Sequence, residues 1–370
     1  MFFPLILVAN AEVSSEVAPS SRLRQLKIAA MKREFRLLAN ENPSDSYRIL
    51  QKKYAENHFQ AVVEMVSTLL PEKRNAAVSL IYGNSLVFLG RKNEAVSAFQ
   101  RAFEAAASPE AKAAALANFG VLFSMSKRWE PAVQRLEQSL EIDRDADHWL
   151  GQGLALAQLG VFYFKMGDVE KGAAAHIEAL EIAETMAIPW LEARQLSQLA
   201  HLYYRDQTYH LARDYYEKAV KIYQALDDPL SGAGALTALS FVYKEMKQPD
   251  QSLDLQSKAL AMYLQLGDQP NTSKVWLNIS LIHRDEGHFD KALDAAQEAL
   301  QIQSTLGNPE KLAEIEGTLG TIYEKKGNLA EAIAHLKKAR DYFEAAKAAQ
   351  AIHIVDLRIQ ALEDQLKPAF

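Results

Sequence analysis

Beginning at Leu159, the stretch LGVFYFKMGDVEKGAAAHIEALEIAETMAIPWLEA is followed forty positions later by LAHLYYRDQTYHLARDYYEKAVKIYQALDDPLSGA, with large, small and turn-forming residues in the same order. A large residue followed by a small one recurs as Leu159-Gly160, Leu199-Ala200, Leu239-Ser240, Ile279-Ser280 and Leu319-Gly320. Four places after the large residue stands an aromatic or a histidine: Tyr163, Tyr203, Tyr243, His283 and Tyr323. Small residues follow at plus thirteen (Gly172, Ala212, Ser252, Ala292, Ala332) and at plus twenty (Ala179, Ala219, Ala259, Ala299, Ala339). Upstream, Phe119-Gly120 with Ala132, and Tyr82-Gly83 with Ala95 and Ala102, continue the array at slightly shorter spacing. A degenerate copy around ILQKKYAENHFQAVVEMV begins it.

Each unit reads as two helices. Gly167-Asp168, Gly287-His288 and Gly327-Asn328 stand between them, where glycine takes a left-handed cap and Asp or Asn caps the next helix. Pro189, Pro229, Pro270 and Pro309 fall near the turn into the following unit. Large residues insert between helices while Gly, Ala and Ser allow close approach. One helix pair cannot bury its apolar face alone, and stacking similar pairs does so.

This pattern resembles the tetratricopeptide repeat, and its forty-residue period is similar to the longer-helix subtype of kinesin light chain, spindle-orientation adaptors and Rap regulators. The resemblance covers residues 48 to 358 and implies an all-α fold, a right-handed α-solenoid of about eight helix pairs. The expected organisation is a signal segment over 1–11, a linker and basic amphipathic helix over 12–45, the solenoid over 46–345, and a C-terminal capping helix and tail over 346–370. The N-terminal helix is read as a cap on the first repeat. Several units depart from the motif: His176, Gln256 and Ala296 replace a bulky aromatic, and Ser240 and Ser280 replace Gly or Ala. These departures are expected to weaken individual units without disturbing the array.

Family members are mostly protein-binding scaffolds whose first helices line a concave groove. The expected function is therefore a scaffold that binds a peptide or helical segment of a partner, with a Rap-like peptide-responsive sensor as the alternative. On the first helices, Arg194, Gln198, His201, Tyr204 and Arg205 share one face, and Lys244, Lys274, Asn278 and Arg284 occupy related positions. Asn118, Gln158, Gln198 and Asn278 recur just before the large residue, where similar repeats use amides to bond a peptide backbone. An amide both donates and accepts. Lys165, Arg205, Lys244 and Arg284 form an expected cationic stripe suited to an acidic segment or a terminal carboxylate, diluted by Glu245 and Asp285.

Composition narrows the chemistry. The 370 residues carry a net charge of −6, with pI near 5.9, against a nucleic-acid partner that would need clustered cations. The absence of cysteine excludes disulfides and thiolate chemistry. Gly151-Gln152-Gly153 and Gly232-Ala233-Gly234 lack the third glycine of a dinucleotide loop, and no HExxH sequence occurs. No cofactor, metal or catalytic residue is expected, and the chain is read as a non-enzyme. MFFPLILVANAEVSS ends its apolar run at Ala9-Asn10-Ala11, which fits signal-peptidase cleavage before Glu12 and a periplasmic or secreted location, with cytoplasmic as the alternative. No later run suits an integral membrane span. Between Pro19 and Pro43, Arg22, Arg24, Lys27, Lys32, Arg33 and Arg36 lie in an amphipathic pattern suited to an anionic surface or an acidic partner.

Overall fold

The structure is a computed structural model that describes residues 45–69 and 75–366. The signal segment and the basic helix expected before Asp45 lie outside the described residues. Seventeen helices are described, with no strand among the described residues. They are α1 (Asp45–Ala55), α2 (Phe59–Thr68), α3 (Ala76–Phe88), α4 (Lys92–Glu104), α5 (Pro109–Ser124), α6 (Trp129–Asp145), α7 (Trp149–Met166), α8 (Val169–Thr185) and α9 (Pro189–Arg205). The rest are α10 (Tyr209–Ala225), α11 (Pro229–Glu245), α12 (Pro249–Gln265), α13 (Gln269–Asp285), α14 (Phe289–Leu306), α15 (Pro309–Lys325), α16 (Leu329–Ala345) and α17 (Ala349–Leu366). They make eight helix pairs and a final single helix, and the chain divides into two compact units between Leu199 and Ala200 of α9.

The turns keep a stricter period than the side chains. Positive φ recurs every twenty residues, at Lys127, Asp147, Gly167, Ala187, Gln207, Asp227, Lys247, Gly267, Gly287, Gly307, Gly327 and Lys347. Most of these turns close with two bonds. At the end of α6, His148 N donates to Asp143 O (2.8 Å) and Asp147 N to Arg144 O (3.1 Å). This is the Schellman arrangement, which satisfies the last carbonyls of a helix. The residue after the left-handed one also starts the next helix: the side chains of Asp168, Asp228, Asp268 and Asn308 each accept from the backbone N–H three residues on, at 3.1 to 3.2 Å. The end of one helix and the start of the next thus share a single short turn.

Within each pair, the small residue of the odd helix faces a side chain sixteen positions later on the even helix. A Cβ on Gly83, Gly120, Gly160 or Gly320 would lie 2.4 to 2.9 Å from Phe99, the Ala132 carbonyl beside Leu136, His176 or Leu336 respectively. Where Ser240 replaces glycine, Gln256 replaces the bulky group and donates to the Ser240 hydroxyl at 2.5 Å. Ser252 donates to the Ser240 carbonyl at 2.8 Å. Where Ser280 faces Ala296 in the register, its hydroxyl donates to the Ala292 carbonyl at 2.7 Å. The departures read from the sequence as weaknesses therefore occur in matched pairs that restore contact or hydrogen bonding.

In unit 1, α1 to α5 bury Leu50, Tyr54, Val62, Leu80, Ile81 and Phe99, while α6 to α8 bury Leu136, Leu156, Leu159, Ala179 and Ile182 with Leu191 of α9. In unit 2, Tyr216 packs with Ala200 and Leu239, and Ile315, Leu319 and Ile322 pack with Ala292, Ala296 and Ala299. The last helix lays Val355, Ile359 and Leu362 against Ala332, Ile333 and Leu336 of α16, so the C-terminal segment covers the final pair. Among the described residues no helix is long and apolar enough to cross a membrane.

Candidate functional site

The candidate residues all lie on odd-numbered helices, and within each unit some of these helices come side by side. In unit 1, α3 touches α5 and α5 touches α7; in unit 2, α13 touches α15. Leucine, isoleucine and alanine on the inner sides of these helices fix their rotation, and the residues between the apolar positions are left to line a common face.

Unit 1 holds Asn118, Gln158, Lys165, Arg194 and Gln198. Asn118 is buried, while the other four are partly exposed. Gln158 keeps its buried Oε1 without a hydrogen-bond partner. Unit 2 holds His201, Tyr204, Arg205, Lys244, Lys274, Asn278 and Arg284. Burial first, then the Glu245 charge and Tyr209, push the Tyr204 phenol up to about 12, so it remains a neutral hydroxyl at neutral pH. Its ring lies 5.8 Å from that of Tyr209.

The expected cationic stripe is organised around one carboxylate. Lys244 Nζ of α11 lies 2.8 Å from Asp285 Oδ2 of α13, and Arg284 Nη2 lies 2.7 Å from Asp285 Oδ1. Burial works against the Asp285 carboxylate, but Lys244 and then Arg284 outweigh it and hold its pKa below the usual range. Two of the four cations are thus joined to one anion, and the forty-residue register places Lys165 and Arg205 in line with Glu245 and Asp285 rather than with Lys244 and Arg284. Within unit 2, Lys244, Arg284 and Asp285 form a mixed-charge network.

Lys274 and Asn278, one turn apart on α13, form a second cluster. Lys274 remains exposed to solvent, yet the helices around its ammonium, and then Lys311 of α15, press its pKa below the ordinary lysine value. Asn278 is 6% exposed, and its Nδ2 has no hydrogen-bond partner. An amide donor left unpaired in a buried place costs about 1–3 kcal/mol until an acceptor arrives. Arg194 and Gln198 stand in the same register eighty residues earlier, in unit 1.

The tetratricopeptide-repeat profile matches residues 75–145, 191–265, 231–305 and 271–345, well over half of the chain. The chain belongs to the tetratricopeptide-repeat family. Its repeats form an interaction scaffold of the generally non-catalytic kind. No curated protein matches the chain. Among solved structures, BtubC (BKLC) from P. vanneervenii is 22% identical with a TM-score of 0.54, covering 59% of this chain and 92% of that one. A signal-transduction ATPase with a tetratricopeptide-repeat sensor from Pyrococcus horikoshii is 16% identical with a TM-score of 0.68, covering 93% of this chain and 53% of that one. This chain therefore spans about half of the ATPase. A Rap protein in complex with competence and sporulation factor is 12% identical with a TM-score of 0.53, covering 93% of this chain and 99% of that one. At these identities the likenesses show the fold.

Two members of the row Tyr163, Tyr203, Tyr243, His283 and Tyr323 have a role that the sequence reading missed. Tyr163 donates to Glu137 Oε1 at 2.6 Å and Tyr243 to Glu217 Oε1 at 2.9 Å, each reaching the even helix of the preceding pair. Both bonds span 26 residues, a spacing that relates successive repeats and was open to detection once the register was known.

Proposed function

We propose that the protein binds an extended or helical segment of a partner protein along the odd-helix face, with Lys274 and Asn278 of unit 2 at the centre of the contact. The single observation that carries this reading is the Asn278 amide nitrogen, buried and without an acceptor, one helical turn from a solvent-exposed lysine. A peptide carbonyl would accept from Asn278 Nδ2. A carboxylate on the bound segment, from Asp, Glu or a chain terminus, would pair with Lys274 and favour its charged form. The cell envelope is the location we propose, on the strength of the apolar run that ends in Ala9-Asn10-Ala11. A peptide-responsive sensor is the second reading, favoured by the fold likeness to a Rap protein solved with competence and sporulation factor.

Affinity capture from native extract with wild-type protein and with Lys274→Glu/Asn278→Ala tests the reading. Lys274 is exposed and the Asn278 amide donor has no partner to lose, so the variant should keep its melting behaviour and lose the captured partner. A folded variant that captures the same partner in the same yield would contradict it.

A further inference from the structure

The odd-helix face is largely open in unit 2 and closed at the start of unit 1. Helix α13 packs against α12, α14 and α15, and along its face Lys274 is exposed while Leu281 and Arg284 are half-buried. Helix α3 packs against the corresponding α2, α4 and α5, yet Ala77, Asn84 and Val87, which hold those three places in the repeat, are all buried. Ala114 and Ser124 of α5 are buried as well. Corresponding neighbours thus leave one face open to solvent and the other closed, and the closed one calls for a cover beyond the helix pairs.

The residue types point the same way. Helix α13 carries Lys274, Arg284 and Asp285, whereas α3 has no charged residue and α5 has Glu110 and Lys112, both at its start. A helix apolar on every side is stable when every side is covered. Asn84 sharpens the requirement, because it is 0% exposed and neither its Oδ1 nor its Nδ2 has a hydrogen-bond partner. Buried amides are nearly always satisfied, so what lies over this face has to bring polar groups among its apolar ones.

Residues 23–38 have that composition. On helical spacing Leu26, Ala30 and Leu37 share one side and Met31, Phe35 and Leu38 the side next to it, with Lys32 and Arg36 opposite. Lys27 and Glu34, seven residues apart, fall within the apolar side and offer a donor and an acceptor. A helix over residues 23–38 would extend about 24 Å, enough to cross two or three helices packed about 8–10 Å apart. Six residues join Leu38 to Asp45, a reach of at most about 25 Å, and α1 packs on α2 and α2 on α3. So short a tether gives the segment an effective concentration near millimolar, which a separate molecule does not match. We propose that the segment Leu23–Leu38 docks as an amphipathic helix on the odd-helix face of α3 and α5 of its own chain, with Lys32 and Arg36 turned to solvent, and closes the groove over the first repeats. The docking does not depend on what the open part of the groove binds.

The absence of native cysteine makes the cover measurable. Asn84→Cys keeps the side-chain size and loses no hydrogen bond, so its thiol reports the face. Ser139→Cys, at a buried site of α6 whose hydroxyl reaches the Ala113 carbonyl of α5, reports the array itself. Each substitution would be made in the full chain, alone and with Met31→Asp/Phe35→Asp, and its reaction with a maleimide timed. The thiol at position 84 should react about tenfold faster when the segment carries the two aspartates, while that at position 139 stays protected. Protection at position 84 should also hold across about a hundredfold dilution, as a contact within one chain requires. Equal rates at position 84 with and without the aspartates would overturn the proposal, as would exposure of both thiols together. Protection lost on dilution would assign the cover to another copy and overturn it as well.

Discussion

Gly160 of α7 faces His176 of α8 so closely that a Cβ on the glycine would lie 2.6 Å from the imidazole Nε2. The ring is held on its other side by Phe164, with centroids 5.7 Å apart, and by the Gln195 side chain, whose Oε1 lies 2.8 Å from Nδ1. It has nowhere to retreat. Gly160→Ala should therefore destabilise unit 1 by about 1–3 kcal/mol, the usual cost of overpacking. Installing the pair found eighty residues later, Gly160→Ser with His176→Gln, should recover much of the loss, because Ser240 and Gln256 show that combination to be compatible. Urea unfolding of the three proteins reads both effects.

His176 also makes the protein sensitive to acid. The side chain is fully buried, and burial first, with Arg194 adding to it against the Gln195 hydrogen bond, lowers its pKa from 6.5 to about 4. The folded state holds the neutral ring while the unfolded chain takes up a proton below 6.5. Stability from this group is present above pH 6.5 and is lost as the pH falls through the window down to about 4, by up to about 3 kcal/mol. His176→Leu, which copies Leu136 and Leu336 at the same register, should flatten that part of the profile. Unfolding midpoints compared between pH 7 and pH 4 check the slope.

The fold was legible in the sequence because the small and large positions that bring two helices together recur at forty. Leu159-Gly160 and its copies mark where backbones touch, and Gly167, Gly287 and Gly327 mark turns that the structure gives positive φ. Other turns were hidden, since Lys127, Asp147, Ala187, Gln207, Asp227, Lys247 and Lys347 take the same conformation without glycine. There the packing of two helices fixes the turn, and residue type records little of it. Ser240 and Gln256 looked like separate defects because their bond crosses from one helix to another. The candidate site was legible only as positions on a face. That Lys244 and Arg284 converge on Asp285 depends on the spacing of α11 and α13, which no single helix encodes.

Non-glycine residues in the left-handed region carry a measurable cost. Ala187, with φ of 49°, has no side-chain hydrogen bond to offset it, so Ala187→Gly should stabilise the turn between α8 and α9 by about 0.5–1 kcal/mol. The converse change tests the backbone alone: Gly267 has φ of 64° and nothing within 4 Å of where a methyl would stand, so Gly267→Ala should cost about 1 kcal/mol without a clash. Native-state hydrogen exchange of the flanking helix ends resolves these local changes in a repeat protein whose unfolding is not all-or-none.

The odd-helix face is the centre of the functional account, and lysine footprinting of the captured complex tests it most directly. Reductive methylation, with and without the partner, compares Lys244 and Lys274 on odd helices with Lys258, Lys337 and Lys338 on even ones. Lys274 is exposed, so its amine is open to the reagent in the free protein. The account requires strong protection of Lys274 on binding, with Lys258, Lys337 and Lys338 labelled as before. Protection confined to the even-helix lysines, with Lys274 still fully labelled, would contradict it.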